Sequence, residues 1–454
     1  MKKLLKILPV LVIVLSMLCM SAYALSEGDW EYQLLGNEVQ ITGYLGEGGD
    51  IEVPSELHGA TVTELDGFSM FSDKATSLTI PGTIKNVDVG IHYGWESLES
   101  LILEEGVESI SGCILQEYEN LTYISLPSTM KTLGEHAFKE TAITSIDLPA
   151  SLKTIDSYAF ENSDLESVDM SELSGVTVGV SVFDGCKNLS DVQLPKDIAV
   201  IGQTMFAGCE SLTSIELPST VKEIKSLAFR YTGLTEILLP SGLQKLDAGV
   251  FANTPLKEVI VPYGVTEVGS GGKYIYGTFS YCDDLKALYI PSTVTKMGTS
   301  VIGNNPDTII YCASGSYAEK LCKDNKISYL TDSSVDSAIN VLYNGSRISF
   351  GEYGQNPTIV NSRTLVPLRS IFEAMGAEVE WDNATRTAKA ERGGVSVSIA
   401  IGSNTMYVNG AARQLDCAAA IVNNRTMVPV RAIAEAFGAD VDWHNPSRTA
   451  LIEE

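Results

Sequence analysis

Two stretches of the chain carry the residue types that could do chemistry. Residues 361–381 read NSRTLVPLRSIFEAMGAEVEW, and residues 424–443 read NRTMVPVRAIAEAFGADVDW. Each sets two arginines around a Val-Pro pair, Arg363 and Arg369 in the first and Arg425 and Arg431 in the second, with Glu373 or Glu435 four residues later. A guanidinium grips a carboxylate or phosphate at two points, so Arg363 and Arg425 are candidates for holding an anionic wall polymer. The competing reading is scaffold. Arg369 with Glu373, and Arg431 with Glu435, have the i, i+4 spacing that braces a helix. A catalytic site rarely occurs twice inside one small module within the same hydrophobic pattern, so the duplication favours bracing over catalysis.

No other constellation competes for a reaction. The four histidines, at 58, 92, 136 and 444, are scattered, and no Cys-x-x-Cys pair exists. Neither a metal-ligand cluster nor a nucleophile with its base is visible. The expectation is therefore no enzyme, no metal and no cofactor.

The elements that position these arginines follow one plan used twice. VLYNGSRISF (341–350) and TMYVNGAARQL (405–415) place Asn-Gly between alternating apolar residues, a strong hairpin signal. Pro367 and Pro429 suit the first turn of a helix. Leu368, Ile371, Phe372 and Met375 form the apolar stripe of that helix. Gly376 and Gly438 stop each copy. On the strands that follow, Val379 with Trp381 and Val441 with Trp443 are expected to point inward, and these copies lie 62 residues apart.

Upstream, the chain repeats itself at a shorter beat. LTYISLPSTMKTLGEHAF (121–138), LSDVQLPKDIAVIGQTMF (189–206) and LTSIELPSTVKEIKSLAF (212–229) share the unit L-x-x-I-x-L-P-x-x-V-x-x-I-x-x-x-x-F. Prolines fall at 81, 127, 149, 195, 218, 240, 262 and 291, and two longer gaps hide coils whose proline has become Glu104 or Ser171. Phenylalanines keep the same beat at 138, 160, 183, 206, 229, 251 and 279. A fixed period of about 23 with a fixed apolar mask is solved by stacking, because one coil cannot bury its own apolar row. Proline ends each short strand because it cannot donate to the ladder. Roughly ten coils result.

Strand side chains alternate, so one column of the repeat should face outward: Ile102, Ser125, Asp147, Asp169, Gln193, Glu216, Leu238, Ile260 and Tyr289. Its middle is acidic. Its last three members, Leu238, Ile260 and Tyr289, are apolar and form either a contact patch for a protein partner or a surface that a neighbouring domain covers. Cys186, Cys209 and Cys282 share one slot after the phenylalanine and read as a buried ladder rather than as disulfides, whereas Cys312 and Cys322 could pair within a closing cap.

Residues 50–312 resemble the bacterial surface-antigen (BspA-like) class of leucine-rich repeat. Residues 36–65 resemble its entry segment, and TIIYCASGSYAEKLCKDNKISYL (308–330) resembles its closing strand, Ser316-capped helix and final strand. The resemblance implies a secreted or surface protein that binds other macromolecules. Residues 338–454, through R-T-x-V-P-x-R, E-A-x-G-A and the tryptophan in both copies, are similar to the copper amine oxidase N-terminal-like domain of Gram-positive surface proteins. In the oxidase that segment is a stalk remote from copper. The catalytic part of such an enzyme needs three histidine ligands and an Asn-Tyr pair, and here the segment has only His444 and the chain has no Asn-Tyr pair.

The expected fold class is thus mainly β: a leucine-rich-repeat solenoid of about 22–23 residues per coil, then a small α+β domain of two duplicated strand–helix–strand halves. The expected boundaries are a leader over 1–24, the solenoid over 25–332 with caps at 25–72 and 308–331, a linker over 333–337, and the duplicated domain over 338–454.

The leader reading rests on Lys2, Lys3 and Lys6, an apolar run from Ile7 to Met20, and Ala22-Tyr23-Ala24, with cleavage after Ala24. The C-terminal residues carry neither an apolar tail nor a sorting motif, so the expectation is release or attachment without a covalent anchor. Formal net charge is −26, which disfavours nucleic acid and anionic membrane as partners. An extracellular protein or an envelope polysaccharide fits instead. Two roles for the module are open on the sequence: envelope attachment or spacing, and being the main carbohydrate-binding part.

Overall fold

The computed structural model describes residues 25–66, 71, 75–87, 97–112, 118–269, 276–303, 305–350, 355–423 and 425–454. The leader assigned to residues 1–24, His92 and Cys113 lie outside them. The chain is mainly β, with 35% strand and 7% helix, and its β-solenoid has about 12 turns. That exceeds the ten coils counted from the sequence, because Gly49–Glu52 and Ile309–Cys312 extend the parallel rows beyond the first and last prolines. Two compact units are present: the chain through Asp169 together with Val176–Cys186, and Met170–Gly175 together with Lys187–Glu454.

In the first unit, strands Trp30–Leu35 and Glu38–Tyr44 pair antiparallel, and Glu38–Tyr44 then pairs parallel with Ala60–Leu65. This is the entry cap. Two parallel rows follow. Leu78, Leu101 and Ile124 stand in register along one row, and Val87, Ile110, Leu133 and Ile155 along the other. All seven are buried. Between the rows the chain turns on a repeated device: the carbonyls of Pro81, Pro127 and Pro149 each accept the N–H three residues on, at 3.0–3.1 Å. Glu104 takes the same place, accepting from Val107 at 3.2 Å. Phe138, Phe160 and Phe183 are wholly buried and stack at 5.4 and 5.5 Å between centroids.

The second unit repeats this construction. Pro195, Pro218, Pro240, Pro262 and Pro291 open the same turn. The turn expected on Ser171 begins one residue earlier, where Met170 accepts from Leu173 at 3.0 Å. The apolar Met170 side chain is fully buried there. Phe206, Phe229, Phe251 and Phe279 stack at 5.5–5.6 Å. The residues two before and two after Phe229, Leu227 and Tyr231, both have φ near +60°. The chain must bend sharply on each side to aim the ring inward.

The slot after the phenylalanine behaves as a ladder of small polar groups. Thr232 and Thr254 donate to the carbonyls of Phe229 and Phe251 at 2.9 and 2.8 Å, and Cys282 Sγ reaches Phe251 O at 3.0 Å. In the first unit Cys186 Sγ lies 3.0 Å from Phe160 O, and burial pushes its thiol up to about 12. Such thiols stay protonated and inert. Cys312 and Cys322, expected as a possible disulfide, are both free and buried. Burial, with Cys312 beside it, pushes Cys322 up to about 12.

The closing helix Tyr317–Asn325 begins as expected, with Ser316 accepting the N–H of Glu319 at 3.2 Å. The expected linker, in contrast, is a folded joint. Ser333–Asp336 forms a 3-10 turn capped by Asp332, and Val335 is buried against Tyr289 and Ala313. The alternation of Ser and Asp there satisfies backbone groups locally, which from sequence looks the same as loop polarity.

The C-terminal module is built on the duplicated arginine stretch. Strands Arg363–Pro367 and Arg425–Pro429 pair antiparallel with Leu365 opposite Pro429 and Val366 opposite Val428. Val366 and Val428 are equivalent by the 62-residue offset, so a local two-fold axis passes between them. Pro367 and Pro429 end these strands and cap the helices Leu368–Ala374 and Val430–Ala436 from just outside. Leu368, Ile371, Phe372 and Met375 are buried as expected. Gly376 and Gly438 have φ of 74° and 89°, and the next N–H groups, of Ala377 and Ala439, reach back to Phe372 O and Ala434 O. That is the C-terminal stop that glycine permits.

The flanking hairpins are exchanged between halves. Glu378–Asp382 and Thr387–Arg392 continue through Val395–Ala400 into the second Asn-Gly hairpin. Asp440–His444 and Thr449–Glu453 join the first Asn-Gly hairpin by a parallel pair, Val341 opposite Ala450. The module thereby closes on itself.

Candidate functional site

The arginine stretches lie at the middle of the module, and most of each is spent on structure. Val366, Val428, Leu365 and Met427 are fully buried in its core. The arginines are left at the margin, and there a cleft of about 800 Å³ opens. Its walls include the hairpin bearing Ile359 and Arg363, the start of helix Val430–Ala436, the hairpin bearing Trp443, the segment bearing Gln414 and Asp416, and Ser241 of a repeat coil.

Its charges are arranged in pairs. Arg363 Nε donates to Asp416 Oδ2 at 3.1 Å. Arg431 Nε lies 3.9 Å from Glu435 Oε1, the expected brace, while its Nη2 donates to Val441 O at 3.1 Å. Trp443 Nε1 donates to Asn445 Oδ1 at 2.8 Å, which fixes the indole and satisfies its only polar atom. Arg448 and Asp442 also face the cleft.

Several of these parts recur at the 62-residue offset, although Asp416 has Gly354 as its counterpart. Ile421 and Ile359 are exposed at 46% and 44%. Trp381 Nε1 donates to Asn383 Oδ1 at 2.8 Å, and Arg386 and Arg448 share a φ of 53°. Trp381 was expected to point inward, yet it is 39% exposed. Glu378–Asp382 is an edge strand, and the bond to Asn383 holds the ring outside the core. Trp443 is half-buried. Arg425 is exposed on the strand equivalent to that of Arg363. Sequence spacing located all four arginines. It missed the tryptophans as surface groups, although the Trp-x-Asn spacing in both copies was the available signal.

The apolar end of the outward column is not a free surface. Tyr289 is only 8% exposed, and Leu238 and Ile260 are half-buried. Leu238 and Ile260 line a small cavity of about 40 Å³ with Leu342, Gly345 and Thr449 of the C-terminal module. The covering-domain alternative is therefore what the structure has, and its reason is the joint. Arg347 lies under the module with its guanidinium 4.7 Å from the Tyr289 ring centre, 3.4 Å from Asp332 Oδ2 and 3.2 Å from Ser334 Oγ. Its backbone N–H donates to Glu258 Oε1 at 2.9 Å, and the Ser241 N–H donates to Pro446 O at 2.6 Å.

Burial holds the Glu258 carboxyl above its ordinary value of 4.5, and the Arg347 N–H and charge offset this only in part. The folded state therefore binds this proton more tightly than the unfolded chain. The contribution of Glu258 is present at low pH and is lost as pH rises through the raised value. Between about pH 4 and about pH 7, Glu258→Gln should gain thermal stability relative to the parent chain. A melting-temperature difference that stays flat over that range would contradict this.

Among the described residues, no three His, Cys, Asp or Glu side chains come together to hold a metal ion, and no helix there is long and apolar enough to cross a membrane.

Residues 342–452 match the copper amine oxidase N-terminal domain, a segment that is not the catalytic part of that enzyme. Residues 66–190 and 176–309 match the BspA type leucine rich repeat region, over more than half of the chain. One curated relative, a protease inhibitor of Brevibacillus choshinensis, is 28% identical over 90 residues, or 20% of this chain; the chain spans 28% of that relative's length. A leucine-rich repeat protein from Bacteroides ovatus is similar in structure, with a TM-score of 0.50 and 20% identity over 71% of this chain and 82% of that one. A leucine rich cell surface protein from Faecalibacterium prausnitzii matches with a TM-score of 0.36 and 20% identity over 68% of this chain and 98% of that one. The likeness to the Bacteroides protein is one of fold. With its repeats and its closing module both matched, the chain belongs to the BspA-type leucine-rich repeat proteins and carries a copper amine oxidase N-terminal domain at its C-terminal end.

Proposed function

We propose that the chain is a secreted, cell-surface, non-enzymatic binding protein. Its repeat coils engage an extracellular protein, and its C-terminal module attaches to envelope polysaccharide. The observation that carries this reading is the division of labour within each coil. The Phe positions and most Leu and Ile positions are buried, while the outward positions Asp147 and Asp169 in the first unit and Gln193 and Glu216 in the second stand exposed. The charge of the acidic members suits a cationic protein surface. The leader-like first 24 residues support export. The paired arginines support scaffold over catalysis, since Arg363 and Arg431 already hold Asp416 and Glu435.

The test reverses the acidic positions of the first unit in the full chain: Asp147→Lys and Asp169→Lys together. Capture of the surface proteins that the parent retains should fall about tenfold at low salt, because complementary charge sets the encounter rate. Unchanged capture at every salt concentration would remove those positions from the binding surface. A second reading makes the module the main ligand-binding part, and the tryptophan-bearing cleft is the observation in its favour.

A further inference from the structure

We infer that the module carries two equivalent sites for pyranose units of a neutral polysaccharide, each built on one tryptophan, Trp443 or Trp381. This rests on the reading of the module as the polysaccharide-binding part and names the ligand chemistry and the number of sites.

Three observations lead there. The first is the indole itself. Each tryptophan sits on an edge strand with its Nε1 tied to an asparagine two residues on, at 2.8 Å in both copies. The ring is therefore held in place, and its polar atom needs nothing from a ligand. What remains is an apolar plate, which suits the C–H face of a pyranose. The second is the charge balance. In the cleft of Trp443, Arg363 is paired with Asp416 and Arg431 with Glu435. A sugar hydroxyl both donates and accepts, so adjacent guanidinium and carboxylate groups match it. A polyanion would have to displace the carboxylates first, and it would approach a chain of formal charge −26. This moves the ligand away from the anionic polymer first suggested by Arg363 and Arg425.

The third is duplication with exposure. Ile359 and Ile421 are equivalent, apolar and nearly half exposed, beside the arginine strand in each half. The core of a duplicated module needs its buried residues repeated. It does not need an exposed isoleucine, an exposed or half-exposed tryptophan and its tethering asparagine repeated. Their recurrence at one offset on the rim is what two copies of a site would require.

The experiment is calorimetric titration of the full chain with short neutral oligosaccharides (gluco-, manno- and galacto-series) and, separately, with oligogalacturonate. At least one neutral series should bind with two sites per chain. Trp381→Ala and Trp443→Ala should each reduce this to one site, and the double variant should bind none, with circular dichroism melts near the parent's. Trp381→Phe should retain the site at reduced affinity, which a change that merely disturbs the fold would not produce. Binding of no neutral series, a parent stoichiometry of one, or tryptophan variants that bind like the parent would overturn the inference. Binding of oligogalacturonate alone would overturn the neutral-ligand assignment. If the tryptophan variants still adhere to intact cells as the parent does, the polysaccharide reading of the module survives and only these two sites fall; undiminished adhesion of the parent to envelopes stripped of polysaccharide would remove that reading as well.

Discussion

Arg347→Ala should release the C-terminal module from the coils that carry it, at a cost of about 3–5 kcal/mol. The guanidinium is almost fully buried and serves several groups at once. It meets Asp332 at 3.4 Å, Ser334 O at 2.5 Å, Asn340 Oδ1 at 3.4 Å and the face of Tyr289 at 4.7 Å. Removing it leaves the Asp332 carboxylate buried with no cation, and such an uncompensated charge costs more than the ion pair itself contributes. The expected observation is an early thermal transition, ahead of solenoid unfolding, with new protease sensitivity around residues 331–337. Arg347→Lys should behave almost as badly, because an ammonium cannot reach the same acceptors in one plane. A single unchanged transition in Arg347→Ala would mean that the joint is held by Val335 and the backbone bonds instead.

Much of this architecture could be read beforehand, and the reasons are specific. The coil was legible because its apolar positions recur at one spacing, which puts Leu78, Leu101 and Ile124 in one row. The helices Leu368–Ala374 and Val430–Ala436 were legible from their stripes and their glycine stops. What could not be read were contacts between segments far apart in sequence. Arg347 looks like any charged residue after an Asn-Gly turn, and only tertiary packing brings Asp332, Tyr289 and Glu258 to it. Leu238, Ile260 and Tyr289 were correctly placed on the outward column, but alternation says which face a side chain takes and not what lies over that face. Trp381 shows the opposite error. Its strand period pointed inward, and an edge strand with a nearby asparagine allowed the ring to stay out.

Those two failures bear on function in different ways. The covered column removes the apolar end of the solenoid as a docking surface and leaves the acidic residues as the exposed part of it. The outward tryptophan adds a surface group that composition alone hides, since half of the four tryptophans in the chain belong to the module. Both shift attention from the arginines of the repeated stretch to what surrounds them. The arginines position acids and backbone, and the unspent chemistry is aromatic.

Phe229→Ala should be the most damaging change within the coils, costing about 3–5 kcal/mol. Phe229 is wholly buried between Phe206 at 5.5 Å and Phe251 at 5.6 Å, with ring planes within 10°. Its removal forfeits the transfer of a whole ring and both stacking contacts, each of about 0.5–1.5 kcal/mol beyond area burial. The cavity has little means of collapse. Phe229 N–H donates to Val250 O at 2.9 Å, Phe206 N–H donates to Ala228 O at 2.9 Å, and Thr232 pins Phe229 O. The coil backbone is thus tied to the coils on both sides and cannot sink into the void. Because each coil draws its stability from its neighbours, the damage should appear as faster amide exchange in the Phe206 and Phe251 coils as well as in the mutated one. Phe229→Leu keeps most of the apolar volume and should cost far less, about 1–2 kcal/mol. Urea denaturation of the full chain separates these outcomes. A loss below about 1 kcal/mol for Phe229→Ala would show that the ring column fills space without carrying the stack.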